Sequence, residues 1–256
     1  MQNKQVKCWG NNYSGQLGQS TTEILGDGCL GNDDDERDCT SVQDEMGENL
    51  PFINLGENIE VTKISAGDTH VCVLTTDGNV KCWGSNYFGQ LGYENLENLG
   101  DGCIGTEYDR ECTSGSAEMG ANINPVDFGA DIAAIDIDSG YAHSCALFTD
   151  GAIKCWGDNS AGQLGRGDKE IVGDGCTGEL YTTRDCTDAN NEMGENLIAV
   201  SLSADNAQKA LQLVSGSRFN CAWLDNQSLK CWGDNSKGQL GLGDTVPRGD
   251  VADYMG

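Results

Sequence analysis

The chain has 256 residues, enough to bury a hydrophobic core, with 36 glycines and 3 prolines. Its 15 basic and 41 acidic residues give a net charge of −26, which disfavours nucleic acid and anionic lipid and favours basic partners or cations. No stretch is apolar enough to predict a membrane span. The 13 cysteines, without a C-x2-C zinc spacing, favour an oxidising compartment.

The sequence repeats itself. Lys-Cys-Trp-Gly begins at residues 7, 81, 154 and 230, and each copy continues as Asn-x-x-Gly-Gln-Leu-Gly. Within one period, short segments rich in β-branched or aromatic residues are separated by turn residues: Pro51–Leu55, Val61–Ser65, Thr69–Leu74 and Asn79–Trp83. Four such strands per period are typical of a β-propeller blade. Residues 205–213 are predicted as a strand, because they align with Val61–Ser65.

The repeat resembles that of the regulator of chromosome condensation family. The motifs are Gly-x-x-His-(Ser/Val)-Cys-x-Leu and then Asp-Gly-x-(Val/Ile)-Lys-Cys-Trp-Gly-x-Asn-x-x-Gly-Gln-Leu-Gly, and the likeness covers nearly the whole chain except one insertion per repeat. It implies an all-β propeller of four-stranded blades, commonly about seven. One partial propeller is expected over 1–256, with repeats near 1–49 (partial), 50–120, 121–194 and 195–256 (partial).

The cysteines predict disulfides. Each complete block has two cysteines ten residues apart, such as Cys72 and Cys82, around a turn. A three-residue loop would place them opposite each other on paired strands, about 4.5 Å apart at Cα, which a disulfide accepts. The alternative for these pairs is small buried hydrophobes. A second set frames each insertion, where pairing would close a loop of about ten residues. The six predicted disulfides are Cys72–Cys82, Cys145–Cys155, Cys221–Cys231, Cys29–Cys39, Cys103–Cys112 and Cys176–Cys186.

The remaining cysteine, Cys8, has no hairpin partner ten residues before it. The chain is therefore expected to begin within a blade and to end within an insertion. It is interpreted as a fragment of about 3.5 blades of a longer propeller.

The insertions are acidic, and some of their acids recur in all three. These are candidate calcium ligands, because calcium prefers clustered carboxylates: Asp27, Asp38, Asp101, Glu111, Asp174 and Asp185. The alternative is a solvated loop in which Arg37, Arg110 and Arg184 pair with the carboxylates. No EF-hand spacing is present, and no other cofactor is predicted.

Two Asn-x-Ser triplets, at Asn12 and Asn226, are candidate glycosylation sites, the second at a predicted hairpin tip. The two histidines, His70 and His143, occupy one position in successive repeats, and Asn220 is aligned with them in the third. Their predicted role is structural. No arrangement of residues for nucleophilic or metal-assisted hydrolysis can be assembled, so no catalytic residue is predicted.

Three functions are compatible with these features. The favoured one is a non-catalytic module, secreted or on the cell surface, that recognises a protein or glycan with a face of stapled insertions. The second is a structural repeat of a secreted fibre, coat or appendage, built by self-assembly. An intracellular guanine-nucleotide exchange factor or chromatin binder is disfavoured by the acidity and the cysteines. The family's plant ultraviolet photoreceptor has extra tryptophans that are missing at Gly67–His70 and Gly140–His143, so that activity is not implied.

Overall fold

The computed structural model describes residues 4–29, 38–39, 44–106, 111–112, 118–130, 132–178, 184–186, 191–203 and 207–251. Over these residues the strands form three antiparallel sheets, each of three strands in chain order. The strands are β1 (Val61–Ala66), β2 (His70–Thr75), β3 (Val80–Gly84), β4 (Ala134–Ser139), β5 (His143–Phe148), β6 (Ile153–Gly157), β7 (Ala210–Ser215), β8 (Phe219–Leu224) and β9 (Leu229–Gly233). Short 3-10 turns lie at Gly120–Asn122 and Gly194–Asn196. No described helix is long and apolar enough to cross a membrane.

The second and third strands of each sheet form a tight hairpin. In the first sheet the Thr75 N–H donates to the Asn79 carbonyl at 2.9 Å, and Gly78 in the turn has φ +80°. Glycine adopts this left-handed conformation without steric cost. The turn fixes the register that places Cys72 opposite Cys82, and the same register recurs in the other two sheets.

The predicted fourth strand, Pro51–Leu55, is an extended segment rather than a strand. This segment and its equivalents each donate one hydrogen bond to the preceding repeat: Ile53 N to Val6 O (2.9 Å), Val126 N to Val80 O in β3 (2.8 Å) and Val200 N to Ile153 O in β6 (2.8 Å). A longer ladder does not form in the middle one, because Pro125 has no N–H and Lys81 Nζ takes the Ile123 carbonyl. Residues 210–213 of the predicted strand 205–213 lie in β7, whereas 207–209 are irregular.

The sheets pack on one another in sequence, with β4 against β1 and β2, and β7 against β4 and β5. Polar bonds tie the first strands together: Ser65 Oγ donates to Asp138 Oδ1 at 2.9 Å, and Ser215 N donates to Asp138 Oδ2 at 2.9 Å. Between the sheets lies an apolar core that includes Phe148 and Ile137. The structure is therefore all-β, with successive sheets stacked as the blades of a propeller.

Candidate interaction face

The loop after each Lys-Cys-Trp-Gly strand is closed by the asparagine of Asn-x-x-Gly-Gln-Leu-Gly. In the second repeat, Asn86 Oδ1 accepts from Leu91 N at 3.0 Å and Asn86 Nδ2 donates to Asn95 O at 2.7 Å. The four equivalent side chains are fully buried: Asn12, Asn86, Asn159 and Asn235. The repeated motif therefore builds the same rigid loop four times.

The tryptophan of each later copy binds the loop of the preceding repeat. The indole Nε1 donates to a glutamine carbonyl at each of three junctions: Trp83 to Gln16 (3.0 Å), Trp156 to Gln90 (3.0 Å) and Trp232 to Gln163 (2.9 Å). These three rings are fully buried. Each of these loops therefore receives the indole of the next repeat. We call the Asn-x-x-Gly-Gln-Leu-Gly segment of each repeat its socket loop.

The histidines add a second bond across two junctions. His70 Nε2 lies 2.9 Å from Ser144 Oγ, and His143 Nε2 lies 3.0 Å from Asn220 Oδ1. Since Ser144 Oγ donates its own proton to the Gln90 carbonyl and an amide oxygen can only accept, Nε2 carries the proton in both rings. Their buried Nδ1 atoms have no hydrogen-bond partner in the described structure.

Burial holds both histidines neutral. Burial, and then the charge of His143, lower the pKa of His70 from 6.5 to about 3. Burial also lowers the pKa of His143, although its hydrogen bond to Asn220 opposes the shift. The alignment of Asn220 with the histidines was wrong: Phe219 occupies their register position, opposite Gly233, and Asn220 accepts the bond from His143.

The lysine of the repeated tetrapeptide also links segments, which the sequence reasoning missed. Lys81 Nζ donates to the carbonyls of Leu55 and Ile123, both at 2.9 Å, and Lys154 Nζ donates to Phe128 O at 2.8 Å. Burial lowers the pKa of Lys81 and of Lys154. The sequence did contain a signal for this role, since a lysine recurs at the first position of every Lys-Cys-Trp-Gly copy in an otherwise acidic chain.

The insertions begin with a turn whose backbone is bound by two carboxylates. In the second one, Asp101 Oδ1 accepts from Cys103 N at 2.9 Å, while Glu118 Oε2 accepts from Gly100 N (2.8 Å) and Gly102 N (3.1 Å). The first and third insertions repeat this pattern with Asp27 and Glu45, and with Asp174 and Glu192. The recurring aspartate and glutamate of each insertion therefore accept hydrogen bonds from backbone N–H groups and fix the conformation of the turn.

The six candidate calcium ligands do not form a metal site in the described part of the chain, where no group of three acidic, histidine or cysteine side chains could hold a metal. One oxygen each of Asp27, Asp101 and Asp174 is used by a backbone N–H. Asp38, Glu111 and Asp185 are solvent-exposed at the second cysteine of their loops. The calcium prediction is therefore not supported by the geometry of these residues.

The third insertion shows the alternative that the sequence left open. Arg184 forms a salt bridge with the buried Asp174 at 2.7 Å, donates to Tyr87 O of the preceding repeat at 3.2 Å and lies over the Tyr87 ring. Arg37 and Arg110 lie outside the described residues. Burial, and then the neighbouring Asp174, raise the pKa of Glu192 to about 8.

Each insertion after the first, and the turn at Asp250, rests on the socket loop of the preceding repeat. A Cβ placed on the loop glycine would contact the next backbone at each junction: Gly15 to Asp101 N at 2.3 Å, Gly89 to Asp174 N at 2.5 Å and Gly162 to Asp250 N at 2.5 Å. Only glycine fits such a close approach. Because the same contact recurs, these insertions all lie at the carboxyl ends of β3, β6 and β9. We call this end of the sheets the insertion face.

Disulfides hold both the hairpins and the insertions. The structure joins Cys72–Cys82, Cys145–Cys155 and Cys221–Cys231 across the hairpins, with Cα atoms 4.0–4.1 Å apart. It joins Cys29–Cys39, Cys103–Cys112 and Cys176–Cys186 within the insertions, with Cα atoms 4.1–4.3 Å apart. Cys8 is a free thiol, and burial raises its pKa to about 11.

The two predicted glycosylation sites differ in exposure. Asn12 is fully buried and its Nδ2 donates to the carbonyls of Thr21 and Glu23, both at 2.8 Å, so a glycan on Nδ2 is incompatible with this loop. That prediction was wrong. Asn226 is exposed at the tip of the β8–β9 hairpin, where its Oδ1 accepts from Ser228 N at 3.0 Å, and modification there stays a prediction.

Comparison with known proteins identifies the repeat. The family of the regulator of chromosome condensation (RCC1) repeat matches residues 61–90, 134–163 and 211–239. The chain belongs to the RCC1-like repeat family. It is 24% identical over 272 residues to the ultraviolet-B receptor UVR8 of Arabidopsis thaliana, covering 95% of this chain and 52% of the receptor. The chain thus spans about half the length of that relative.

Two solved structures have a similar fold. Human WBSCR16 superposes with a TM-score of 0.58 at 14% identity, covering 96% of this chain and 47% of that protein. Prp20p of Saccharomyces cerevisiae superposes with a TM-score of 0.53 at 20% identity, covering 95% of this chain and 44% of that protein. The stacked sheets of this RCC1-like chain are therefore propeller blades.

Proposed function

We propose that this RCC1-like chain is a non-catalytic recognition module that binds a basic protein through its insertion face and works outside the cytosol. The observation that carries the proposal is the recurring contact that brings the insertions to one end of the sheets. Protein binding accords with the fold, since Prp20p binds Gsp1p and histones. The module would use a broad, stapled surface rather than a catalytic pocket.

The charge of the insertion face supports a basic partner. Glu97 and Glu111 are exposed there, and Glu48 is exposed in the first insertion. The chain carries a net charge of −26, so its field attracts cationic partners and accelerates their association at low ionic strength.

The six disulfides support the extracellular part of the proposal, because reducing compartments keep such thiols free. Mapping the disulfides of the protein from its natural source, with free thiols blocked before lysis, tests this part. We expect the six pairs to be linked. Alkylation of the hairpin cysteines as well would place the protein in a reducing compartment.

The binding part is tested with a fluorescent lysine-rich peptide as the probe, by anisotropy at low and physiological salt. We expect Glu97→Gln/Glu111→Gln to weaken binding about fivefold, since two exposed charge pairs contribute about 1 kcal/mol together. The matched control is Glu57→Gln/Asp225→Asn, which removes two exposed charges near the opposite, hairpin end of the sheets. Equal weakening by both variants would show that net charge alone attracts the peptide and would contradict a binding face.

A further inference from the structure

The hairpin disulfides of the first two sheets are buried at both sulfurs. Cys72, Cys82 and Cys145 are 0% exposed and Cys155 is 2% exposed. All four belong to one apolar cluster, and Ser144 Oγ of the second sheet lies 3.6 Å from Cys72 Sγ of the first. Because thiol–disulfide exchange requires a thiolate to reach a sulfur, these bonds do not exchange while the sheets are packed.

The insertion disulfides are buried at one cysteine and exposed at the other. In the second insertion Cys103 is 3% exposed, whereas its partner Cys112 is exposed to solvent. In the third insertion Cys176 is 2% exposed, and its partner Cys186 is exposed to solvent. A thiolate from solution therefore reaches the second cysteine of each pair, and the first cysteine is the one released.

The surroundings of the buried cysteine suit a thiol as well as a disulfide. The Sγ atom of Cys103 lies 3.5 Å from the Asp101 carbonyl oxygen, and that of Cys176 lies 3.5 Å from the Asp174 carbonyl oxygen. A thiol formed at either position would donate its proton to this carbonyl. The released cysteine is therefore accommodated where it already lies.

Other bonds keep the two cysteines of each insertion close together. Carboxylates accept hydrogen bonds from the backbone of the turn that carries the buried cysteine. Two backbone hydrogen bonds, at 3.0 and 2.7 Å, join Ile104 to Glu111, and two at 2.8 Å join Thr177 to Asp185. The disulfide is thus one of several links, so it can open without loss of the turn and can form again.

An acidic residue precedes each exposed cysteine. Glu111 and Asp185 are exposed beside Cys112 and Cys186, in a chain whose net charge is −26. Such a field raises the local concentration of cationic molecules and lowers that of anionic ones. The thiol that this surface favours is therefore carried by a cationic molecule.

We propose that Cys112 and Cys186 are sites of thiol–disulfide exchange with a cationic thiol, while the hairpin disulfides stay closed. The thiolate attacks Sγ of the exposed cysteine, the bond to the buried cysteine breaks, and the buried Sγ keeps the electron pair and takes a proton. A second thiol of the reagent then attacks the mixed disulfide, so the reagent is oxidised to a disulfide and the insertion gains two thiols. The inference goes beyond recognition of a basic partner and does not depend on it.

The first test compares the two classes of disulfide in one molecule. The oxidised chain is treated with dithiothreitol at about pH 8, where thiolates form, and is sampled by alkylation and peptide mass spectrometry. We expect Cys103–Cys112 and Cys176–Cys186 to open at least about tenfold faster than Cys72–Cys82 and Cys145–Cys155, with the circular dichroism of the sheets unchanged. Equal rates, or opening only together with loss of the circular dichroism signal, would overturn the proposal.

The second test locates the attack with cysteamine, a cationic thiol, followed by acid quenching. We expect the mixed disulfide on Cys112 and Cys186 and the free thiol on Cys103 and Cys176. Adducts on the buried cysteines instead would contradict the assignment of the reactive sulfurs.

A matched pair of variants checks the same asymmetry without exchange. Cys103→Ser leaves Cys112 as an exposed thiol, and Cys112→Ser leaves Cys103 as a buried one. Alkylation should be at least about tenfold faster in Cys103→Ser, because the reagent reaches only the exposed sulfur. Similar rates in two variants that keep the circular dichroism of the parent would count against the proposal.

The preference for a cationic thiol is tested with Glu111→Gln, which removes one charge beside Cys112. Cysteamine should react about twofold to threefold more slowly at Cys112, as expected for one exposed charge pair. Cys186 in the same molecule is the control and should keep its rate, and uncharged 2-mercaptoethanol should not distinguish the variant from the parent. An unchanged cysteamine rate at Cys112 would refute the charge preference.

Discussion

Nε2 of His70 donates a hydrogen bond to Oγ of Ser144, at 2.9 Å, across the junction between the first and second sheets. Ser144 Oγ donates a hydrogen bond to the Gln90 carbonyl at 3.2 Å, and the same carbonyl accepts from Trp156 Nε1 at 3.0 Å. The junction is thus a buried polar network embedded in apolar packing. The hydrogen bonds of such a network fix the register of the surfaces they join, although Nδ1 of His70 has no partner in the described structure.

Acid should weaken this junction. The unfolded chain protonates His70 near pH 6.5, whereas the folded chain does so near pH 3, so the stability that the neutral ring contributes is complete above pH 6.5 and is lost as the pH falls towards 3. Between pH 7 and 4.5 the loss for His70 is about 3 kcal/mol. Urea unfolding at both pH values measures it.

The variant that isolates this effect is His70→Phe, because Phe219 already occupies the equivalent position in the third sheet. It should be less stable than the parent at pH 7, where the bond to Ser144 is lost, and should lose less stability on acidification. Equal acid sensitivity of parent and variant would assign the effect to the carboxylates instead.

We expect the contributions of Arg184 and Asp174 to the free energy of unfolding to depend strongly on each other. Asp174 is buried, and Arg184→Gln would leave its carboxylate without the ion pair, at a cost of about 3–5 kcal/mol. Asp174→Asn keeps the side-chain oxygen that accepts from Cys176 N. The double variant should therefore recover part of the stability lost by Arg184→Gln, as a double-mutant cycle by urea unfolding would show. Additive losses would mean that the pair contributes no coupling.

Removing a hairpin disulfide should destabilise the chain more than removing the free thiol. Cys72→Ala/Cys82→Ala opens a loop of about ten residues, and the loss of loop-closure constraint costs about 3 kcal/mol. Cys8→Ser changes a half-buried thiol without a disulfide and should shift the midpoint little. Differential scanning calorimetry compares the two. Similar melting temperatures would indicate that the unfolded hairpin is already restrained without its disulfide.

Glu192 should give the opposite pH dependence to that of the histidines. Its folded pKa is raised from 4.5 to about 8, so the stability it contributes is complete below pH 4.5 and falls as the pH rises to 8. Glu192→Gln cannot ionise and keeps an oxygen for Gly173 N and Gly175 N. We expect its unfolding free energy to vary less than that of the parent between pH 5 and 8. A parallel pH profile would place the ionised carboxylate in the native state.

Much of the fold follows from the sequence because the repeat shows which residues are equivalent. The interval of ten residues between Cys72 and Cys82 around Thr76-Asp77-Gly78 contains the hairpin register, and the structure has that register. The family resemblance and the all-β fold are confirmed by the comparisons. The repeat boundaries and glycosylation at Asn226 stay predictions.

Contacts between repeats were not predictable in the same way. Alignment shows that Trp83, Trp156 and Trp232 are equivalent, but their partners lie in another repeat and are backbone carbonyls, which carry no sequence signal. The same limit explains the error at Asn12, since a glycosylation triplet does not show that the Asn12 amide closes a loop. The role of the buried Lys81 depends on carbonyls of two distant segments and was missed for the same reason.

The segment at Val126 has a consequence for how the chain yields to force. It precedes the second sheet in sequence but is hydrogen-bonded to Val80 of the first, as Val200 is bonded to Ile153 of the second. Pulling one sheet away would therefore also remove the extended segment that is hydrogen-bonded to the edge of the preceding sheet. Lys81 or Lys154, which donates to that part of the chain, would then be exposed. In an optical trap, neighbouring blades should rupture together in a single long step rather than one at a time.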